Sequence, residues 1–360
     1  MAIASGNPAS NRLVSTIGTA RKQGRNLFLP ICSQTALRPS FNQSRGSSTP
    51  GRDINEKESH QIALMRWLHQ DTGCKFAYPC MDLNLEGGAV ARKNGISIAF
   101  MDMGDDVALE VVPFLDENSA FGNLRPVDPM SDPLMRSRIN FFRSANEDTV
   151  LRDLILSGWM AGPFTLAGKI TRADALTALS MSAMADPESK EAAAFKACLD
   201  YATSTAKDYA KALEKAGAQN IIMLEPSLKW SNPFIFGEFI VPKINEVIED
   251  LGIPVTFHAC GDTSAFFEGI ASVKAEGFSL DKEVDLSAMS ALRPDALMIG
   301  NLDNTQMPGQ PPSIIRKTAQ EMIRRYAQLH ADGLYLPATG CEITSPITAE
   351  QIMAFAEGVS

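Results

Sequence analysis

The sequence predicts an α/β fold: a single (β/α)8 TIM barrel over residues 1–360, with an insertion after the second strand. Three observations carry this prediction. Eight short apolar runs lie along the chain, and most are separated by segments with apolar residues at helical spacing. Polar and titratable residues gather at the carboxyl ends of the later runs, which is where a barrel builds its site. No Gly-x-Gly-x-x-Gly follows a run, which weakens the dinucleotide-binding form of the competing open doubly wound sheet.

In chain order, residues 1–25 read as an N-terminal helical extension. The first strand is expected at Leu27–Cys32. The stretch Arg38–Arg52, rich in Ser, Gly and Pro, then reads as a mobile loop. A helical stretch over Glu56–Gln70 leads to the second strand, Lys75–Asp82. Residues 83–149 form the insertion, in which the alternating runs Ile96–Met101 and Val107–Pro113 flank Gly104-Asp105-Asp106 as a short antiparallel excursion. The third strand is Leu154–Gly162, followed by helices over Leu176–Ala185 and Ala192–Ala216. The latter is closed by Lys215-Ala216-Gly217, a cation and a glycine at the end where both suit a helix. Strand four, Asn220–Glu225, precedes a helix over Phe234–Leu251 that stops at Gly252. Strands five to seven are Pro254–His258, Phe278–Asp281 and Ala296–Gly300. A helix over Ile314–Leu329, strand eight at Gly333–Pro337 and a helix over Thr348–Glu357 complete the pattern.

Composition removes several function classes. Hydrophobic residues make up 45% and charged residues 21%, so the chain is neither disordered nor fibrous. No run approaches the roughly 18 apolar residues that span a bilayer. A net charge of -9 argues against a nucleic-acid binder, which must neutralise phosphates. Six Cys in 360 residues are too few for a disulfide scaffold. The charge is uneven: residues 1–52 hold seven cations and no acid, leaving 26 cations against 42 acids in the remainder. An Arg-rich, acid-poor start resembles an organellar transit peptide, but the buried-strand pattern Asn26-Leu27-Phe28-Leu29-Pro30-Ile31 places it in the folded domain. With no apolar run of a secretory signal near the start, a cytoplasmic protein is expected.

Five strand-end clusters would converge on one cavity: Glu225-Pro226-Ser227, His258-Ala259-Cys260-Gly261-Asp262, Asp281-Lys282-Glu283, Gly300-Asn301-Leu302-Asp303-Asn304 and Thr339-Gly340-Cys341-Glu342. The sharpest is His258-x-Cys260, with Cys341 three strands later. Two thiolates and one imidazole suit Zn2+, and three protein ligands leave the fourth position open, as catalytic zinc requires. The competing reading makes Cys260 and Cys341 small core residues and His258 a hydrogen-bonded polar one, and on the residues alone the two stand about level. Gly162-Pro163-Phe164-Thr165-Leu166-Ala167-Gly168-Lys169-Ile170 is not a phosphate loop, because its glycines are one residue too far apart and Ile follows Lys. It reads instead as a wall of the cavity. Cys32, Cys74, Cys80 and Cys198 read as packed thiols, and His60, His69 and His330 as surface or helix-end residues. No Gly-x-Ser-x-Gly elbow supports a hydrolase triad.

On these residues the chain resembles the uroporphyrinogen decarboxylase superfamily, and within it the methylcobamide:coenzyme M methyltransferase branch. The resemblance runs through Gly162–Gly168, Ala216–Ala218 to Ser227, His258–Gly261, Ser279–Asp285, Ile299–Asn301 and Gly340-Cys341, over about residues 55–360. The His-x-Cys plus Gly-Cys set is specific to the zinc-dependent branch, and the other stretches to the superfamily. The decarboxylases carry Arg-Gln-Ala-Gly-Arg just after the first strand. Here that place holds Cys32–Arg38, and the similar Arg21-Lys-Gln-Gly-Arg25 precedes the strand.

The resemblance implies transfer of a methyl group from a methyl-Co(III) corrinoid, held on a separate corrinoid carrier protein, to a coenzyme M-like thiol through a zinc-bound thiolate. His258, Cys260 and Cys341 would hold Zn2+. Glu283, then Asp281 and Glu225, are the candidate carboxylates for the fourth position, and Arg38, Phe164, Thr165, Asn301 and Asp303 are expected to contact substrate, with Arg45 and Arg52 helping Arg38 steer an anionic tail. Two alternatives within the superfamily are corrinoid:tetrahydrofolate methyl transfer and a decarboxylase-like activity. A third, from another class, is a barrel that binds corrinoid protein or metal without catalysis. No nucleic-acid or membrane partner is expected.

Overall fold

The computed structural model describes residues 11–22, 27–96, 98–103, 106–111 and 123–360. The strands are β1 (Phe76–Ala77), β2 (Ile98–Met103), β3 (Asp106–Val111), β4 (Ile155–Ala161), β5 (Asn220–Leu224), β6 (Val255–Ala259), β7 (Gly277–Leu280), β8 (Leu297–Leu302) and β9 (Tyr335–Thr339). Seven of them form one sheet in the order β1-β4-β5-β6-β7-β8-β9, and every pairing in it is parallel. All residues of these seven strands are buried, so both faces are covered. This explains why they read as continuous apolar runs without alternation. The result is an α/β fold with a curled parallel sheet.

Helices cover the outside through apolar stripes. Helix Lys190–Ala216 buries Phe195, Leu199, Ala202, Ala206, Tyr209, Ala210 and Leu213, spaced three and four apart. Its start is capped by Ser189, which accepts the Ala192 N–H, and its end by Gly217 at φ 105°. At the amino-terminal end of the sheet, helix Arg12–Lys22 buries Leu13, Ile17 and Ala20. Asn11 donates to the carbonyls of Glu276 and Asp295, just ahead of β7 and β8, and Arg21 reaches the Tyr335 carbonyl at the start of β9. This helix therefore covers the end opposite the carboxyl termini of the strands.

The expected first strand, Leu27–Cys32, is not a ladder strand. Two parallel bridges, Leu29 to Ala338 and Cys32 to Ile343, join it to the chain at and after β9. Pro30 has no N–H to extend the ladder, and the Thr339 hydroxyl takes the place of a carbonyl by accepting the Ile31 N–H at 3.0 Å. On its other side the contact with β1 is made by a side chain: Tyr78 Oη donates to the Pro30 carbonyl and accepts the Cys32 N–H. The second strand shortens from Lys75–Asp82 to Phe76–Ala77, with Pro79 close behind it.

The stretch Arg38–Arg52 is not a loop over most of its length. Gln34–Arg45 is helical in spite of Pro39, and Gly51–Glu56 is helical as well. Ser33 caps the first helix by accepting the Ala36 N–H, and Gly46 ends it at φ 58°. Burial of Ala36, Leu37 and Phe41, the last ring edge-on to Trp67, outweighs the loop-forming composition.

Residues 83–149 hold more than a hairpin. β2 and β3 pair antiparallel from Ile98–Val111 to Met103–Asp106, while the turn residues Gly104 and Asp105 and residues 112–122 lie outside the described set. Helices Leu85–Asn94 and Pro133–Glu147 bury much of their length, including Arg138, which donates to the Cys80 carbonyl at 3.0 Å.

The cap at Ser33 gives a direct check. Ser33→Ala removes the cap and the hydroxyl's bond to the Ile343 carbonyl. It is expected to cost about 1–2 kcal/mol, read as a lower midpoint at unchanged slope in denaturant unfolding. A mobile loop at 34–45 would show no change.

Candidate metal centre

His258 is the fourth residue of β6, and Cys260 follows that strand directly. Cys341 stands two residues beyond β9. At these ends the three donors meet: His258 Nε2 is 3.1 Å from Cys260 Sγ, Cys260 Sγ is 3.0 Å from Cys341 Sγ, and Cys341 Sγ is 3.7 Å from His258 Nε2. They are the group of His, Cys, Asp or Glu donors among the described residues that is close enough to hold one ion. His258 is buried, the two thiols are partly open, and both cysteines are free.

Sheet register orients the imidazole. His258 lies beside Ser279 of β7, and Ser279 Oγ is 2.9 Å from His258 Nδ1. That bond engages Nδ1 and leaves Nε2 toward the sulfurs. Asp281, at the end of β7, ties the thiol loops together. Its Oδ2 accepts the Gly261 N–H beside Cys260, at 2.8 Å, and its Oδ1 accepts the Lys282 N–H. Gly340, just before Cys341, lies so close to this turn that a Cβ there would stand 2.7 Å from Lys282 N and 3.0 Å from Asp281 Oδ1.

Two thiols this close share a proton unequally. The hydrogen bond from Cys260, with His258 adding to it, holds the Cys341 thiol well below its ordinary value, and the same bond together with burial pushes Cys260 up. Around tetrahedral zinc, Zn–S near 2.3 Å and Zn–N near 2.0–2.1 Å put neighbouring donor atoms about 3.5–3.8 Å apart. The 3.7 Å pair already meets this spacing, and the other two need to spread, by about half an ångström between His258 and Cys260 and about 0.8 Å between the two sulfurs. The donor set and its geometry therefore fit Zn2+ with one position open.

The three donors line a cavity of about 310 Å3. Besides the triad, its lining includes Trp159, Lys169, Asp82 and Glu342. Burial pushes the Glu342 carboxyl up to about 7, with Cys341 and Asp82 adding to the rise. Asp82 is raised as well, chiefly by burial, and the Asn84 N–H, Arg138, Lys169 and Arg92 offset this only in part.

The other residues singled out in the sequence have different places. Glu283 is exposed and outside the cavity lining, whose carboxylates among the described residues are Asp82 and Glu342. Glu225 is buried and accepts three hydrogen bonds, from the Phe164 N–H, the Thr165 N–H and the Thr165 hydroxyl, at 2.7–2.9 Å. It anchors the start of helix Pro163–Ile170. Burial nevertheless raises it to about 7 against those bonds, and a Cβ on Gly162 would run into its carboxyl group. Phe164 and Thr165 are buried in this anchor and do not line the cavity. Asn301 is buried and donates to the Asp281 and Val284 carbonyls, while Asp303 pairs with Lys282 at 2.8 Å; neither lines the cavity. Arg38 and Arg45 lie on helix Gln34–Arg45, with Arg45 over the Phe41 ring, and the Arg52 side chain lies outside the described set. Among the described residues, the cation in the lining is Lys169. Glu342 falls in the Thr339–Glu342 cluster and Lys169 in the stretch read as a cavity wall, without a role assigned to either, while Ser279 and Asp82 lie within predicted strands and carry no assignment. Polar residues crowd the strand ends, and only side-chain direction separates those that face the cavity.

Comparison with known proteins bears on this site. A family model described as Uroporphyrinogen decarboxylase (URO-D) matches residues 94–360. A methylcobamide:CoM methyltransferase, MtaA, from Methanosarcina barkeri is 26% identical over 233 residues, 62% of this chain and 64% of the relative. A methylcobamide:CoM methyltransferase, MtbA, from Methanosarcina acetivorans is 26% identical over 214 residues, 57% of this chain and 58% of the relative. The matched part thus spans less than two thirds of these relatives. Among solved structures, a methyltransferase from Methanosarcina mazei superposes with a TM-score of 0.77 at 18% identity, over 96% of this chain and 98% of the other. A B12-independent methionine synthase from Shewanella superposes with a TM-score of 0.52 at 14% identity, over 92% of this chain and 97% of the other. At these identities the superpositions show a shared fold.

Removing the imidazole's partner tests the centre. Ser279→Ala is expected to weaken zinc binding about 10–100-fold, measured by competition with a chromophoric chelator, with the unfolding midpoint little changed.

Proposed function

The chain belongs to the uroporphyrinogen decarboxylase (URO-D) family, and on that premise we propose that it is a methyltransferase that moves a methyl group from a methylcorrinoid, carried on a partner protein, to a small thiol. The observation that carries this reading is the convergence of His258, Cys260 and Cys341 at the mouth of a small cavity. The names of the curated relatives point the same way. The strands belong, in this reading, to a (β/α)8 barrel whose first stave is Leu27–Cys32, with the β2–β3 hairpin inserted after the second.

His258, Cys260 and Cys341 would hold the metal. Zn2+ bound there supplies Lewis acidity that lowers the pKa of an acceptor thiol, and two anionic Cys ligands keep the sulfur electron-rich. In the overall reaction the acceptor sulfur bonds to the methyl carbon, the carbon–cobalt bond breaks with its electron pair left on cobalt, and the thiol proton goes to solvent or a nearby base. Glu342, a lining carboxylate next to Cys341, is the base that would take that proton. Ser279 and Asp281 hold the imidazole and the Cys260 loop still, and the buried Trp159 walls the cavity against water. The arginines speak against decarboxylation of a polycarboxylate. Arg21 binds at the opposite end of the sheet, and no arginine lines the cavity among the described residues. A volume of about 310 Å3, at the small end for ligand sites, favours a small thiol over tetrahydrofolate.

The carrier protein has a surface to meet. Trp230 and Phe234, in the segment after β5, are 52% and 54% exposed, and Met181 and Met184 of helix Ala173–Ala185 are 44% and 37% exposed. Asn232 and Thr177 bond across the two segments, which makes the four side chains one patch. Both segments follow, in the chain, residues that line the cavity, Pro226 and Lys169. An apolar patch at a mouth that must admit a protein-bound cofactor suits protein docking.

Two measurements test this reading. Zinc-loaded protein is expected to methylate a thiol from methylcobalamin, with coenzyme M, homocysteine and tetrahydrofolate assayed side by side. Turnover with tetrahydrofolate alone would replace the thiol reading. Trp230→Ala/Phe234→Ala is expected to raise KM for a methylcorrinoid carrier protein about tenfold or more relative to KM for free methylcobalamin.

A further inference from the structure

Resting on the reading of the triad as a metal centre, we propose that Cys260 and Cys341 are a site of reversible oxidative modification, at which a peroxide joins the two as a disulfide and so removes two of the three metal donors. A distance and a contrast in access carry this. The two Sγ atoms are 3.0 Å apart, and both residues line the cavity. Both are free and partly open, whereas Cys32, Cys74, Cys80 and Cys198 are free and buried. Burial also raises those four thiols, so each keeps its proton and is a poor nucleophile. An oxidant that enters the cavity therefore meets the Cys260–Cys341 pair first.

The separation of the sulfurs lies between two end states. Tetrahedral zinc sets two sulfurs about 3.8 Å apart, and a disulfide holds them about 2.05 Å apart. From 3.0 Å the pair is about 0.8 Å from the first state and about 1 Å from the second. The main chain beside each cysteine is held, the Gly261 N–H by Asp281 at 2.8 Å and the Gly340 N–H by the Leu302 carbonyl at 2.7 Å. Side-chain rotation thus reaches either state, and the sheet stays as it is. In the oxidation the O–O bond of the peroxide breaks as one sulfur takes an oxygen, which gives a sulfenic acid and one water. The other sulfur then bonds to the first and displaces that oxygen as a second water. The two thiols lose two electrons and two protons in all, and one hydrogen peroxide becomes two waters. A disulfide carries no thiolate charge, so His258 alone remains to bind the metal. Two equivalents of an external thiol reverse the step by exchange.

The test uses the full chain, zinc-free and zinc-loaded, with hydrogen peroxide in small molar excess as the probe. Free thiols are counted after denaturation, the linkage is located by peptide mass mapping without reduction, and zinc release is followed with a chromophoric chelator. In the zinc-free chain the thiols are expected to fall from six to four, with the Cys260 and Cys341 peptides joined, and dithiothreitol to restore all six. In the zinc-loaded chain the loss of two thiols and the release of one zinc run together. In zinc-free Cys341→Ser no linkage forms, and dimedone labels Cys260 as the sulfenic acid. A linkage to a buried cysteine, a thiol loss that dithiothreitol does not reverse, or a Cys260–Cys341 disulfide that leaves zinc bound overturns the proposal. Six thiols retained in the zinc-free chain overturn it too and leave the metal centre standing. A reduced chain that binds no zinc overturns the metal reading, and this switch with it.

Discussion

The contact on which the site depends is the one between two sulfurs, Cys260 Sγ and Cys341 Sγ, 3.0 Å apart with the His258 imidazole against both. Two thiols at that distance cannot both ionise at ordinary pH without a compensating charge, so one keeps a proton and the other leans on it. A divalent cation removes the conflict, because it lets both sulfurs be anionic while the imidazole stays neutral. The surrounding structure serves this juxtaposition. Parallel pairing of β6 with β7 sets Ser279 beside His258, Asp281 at the end of β7 fastens the Cys260 loop, and Gly340 lets the Cys341 loop approach that same turn.

The two ends of the sheet divide the labour. The amino-terminal end is covered by helix Arg12–Lys22, through Asn11 and Arg21 bonds to main-chain carbonyls. The carboxyl-terminal end carries the triad, the acids and Lys169.

Much of this was legible in the residues. Strands buried on both faces show themselves as continuous apolar runs, and β4 to β9 lie where those runs were read, within a residue or two. The triad was legible because His258-x-Cys260 and Gly340-Cys341 fall at strand ends, where the topology forces convergence. The remainder was not, for identifiable reasons. Ser33, Leu37 and Phe41 make a capped and buried helix from a stretch whose Ser, Gly and Pro content reads as loop, since propensity yields to packing. Leu27–Cys32 read as a strand, but Pro30 reduces it to two bridges. Glu225, Asn301 and Asp303 are polar strand-end residues, as functional residues are, yet they hold loops and helix starts. The same chemistry serves support and catalysis, and only the direction of each side chain tells them apart. That Asp82, Lys169 and Glu342 line the cavity is visible only in the structure for that reason.

The account stands on the metal. The most direct measurement is the zinc content, by inductively coupled plasma mass spectrometry, of the purified chain and of its Cys260→Ser/Cys341→Ser variant at equal protein concentration. One zinc per wild-type chain, lost in a variant whose circular dichroism is unchanged, is the predicted result. Wild-type protein without stoichiometric zinc after reconstitution, or a variant that retains it, would contradict the account.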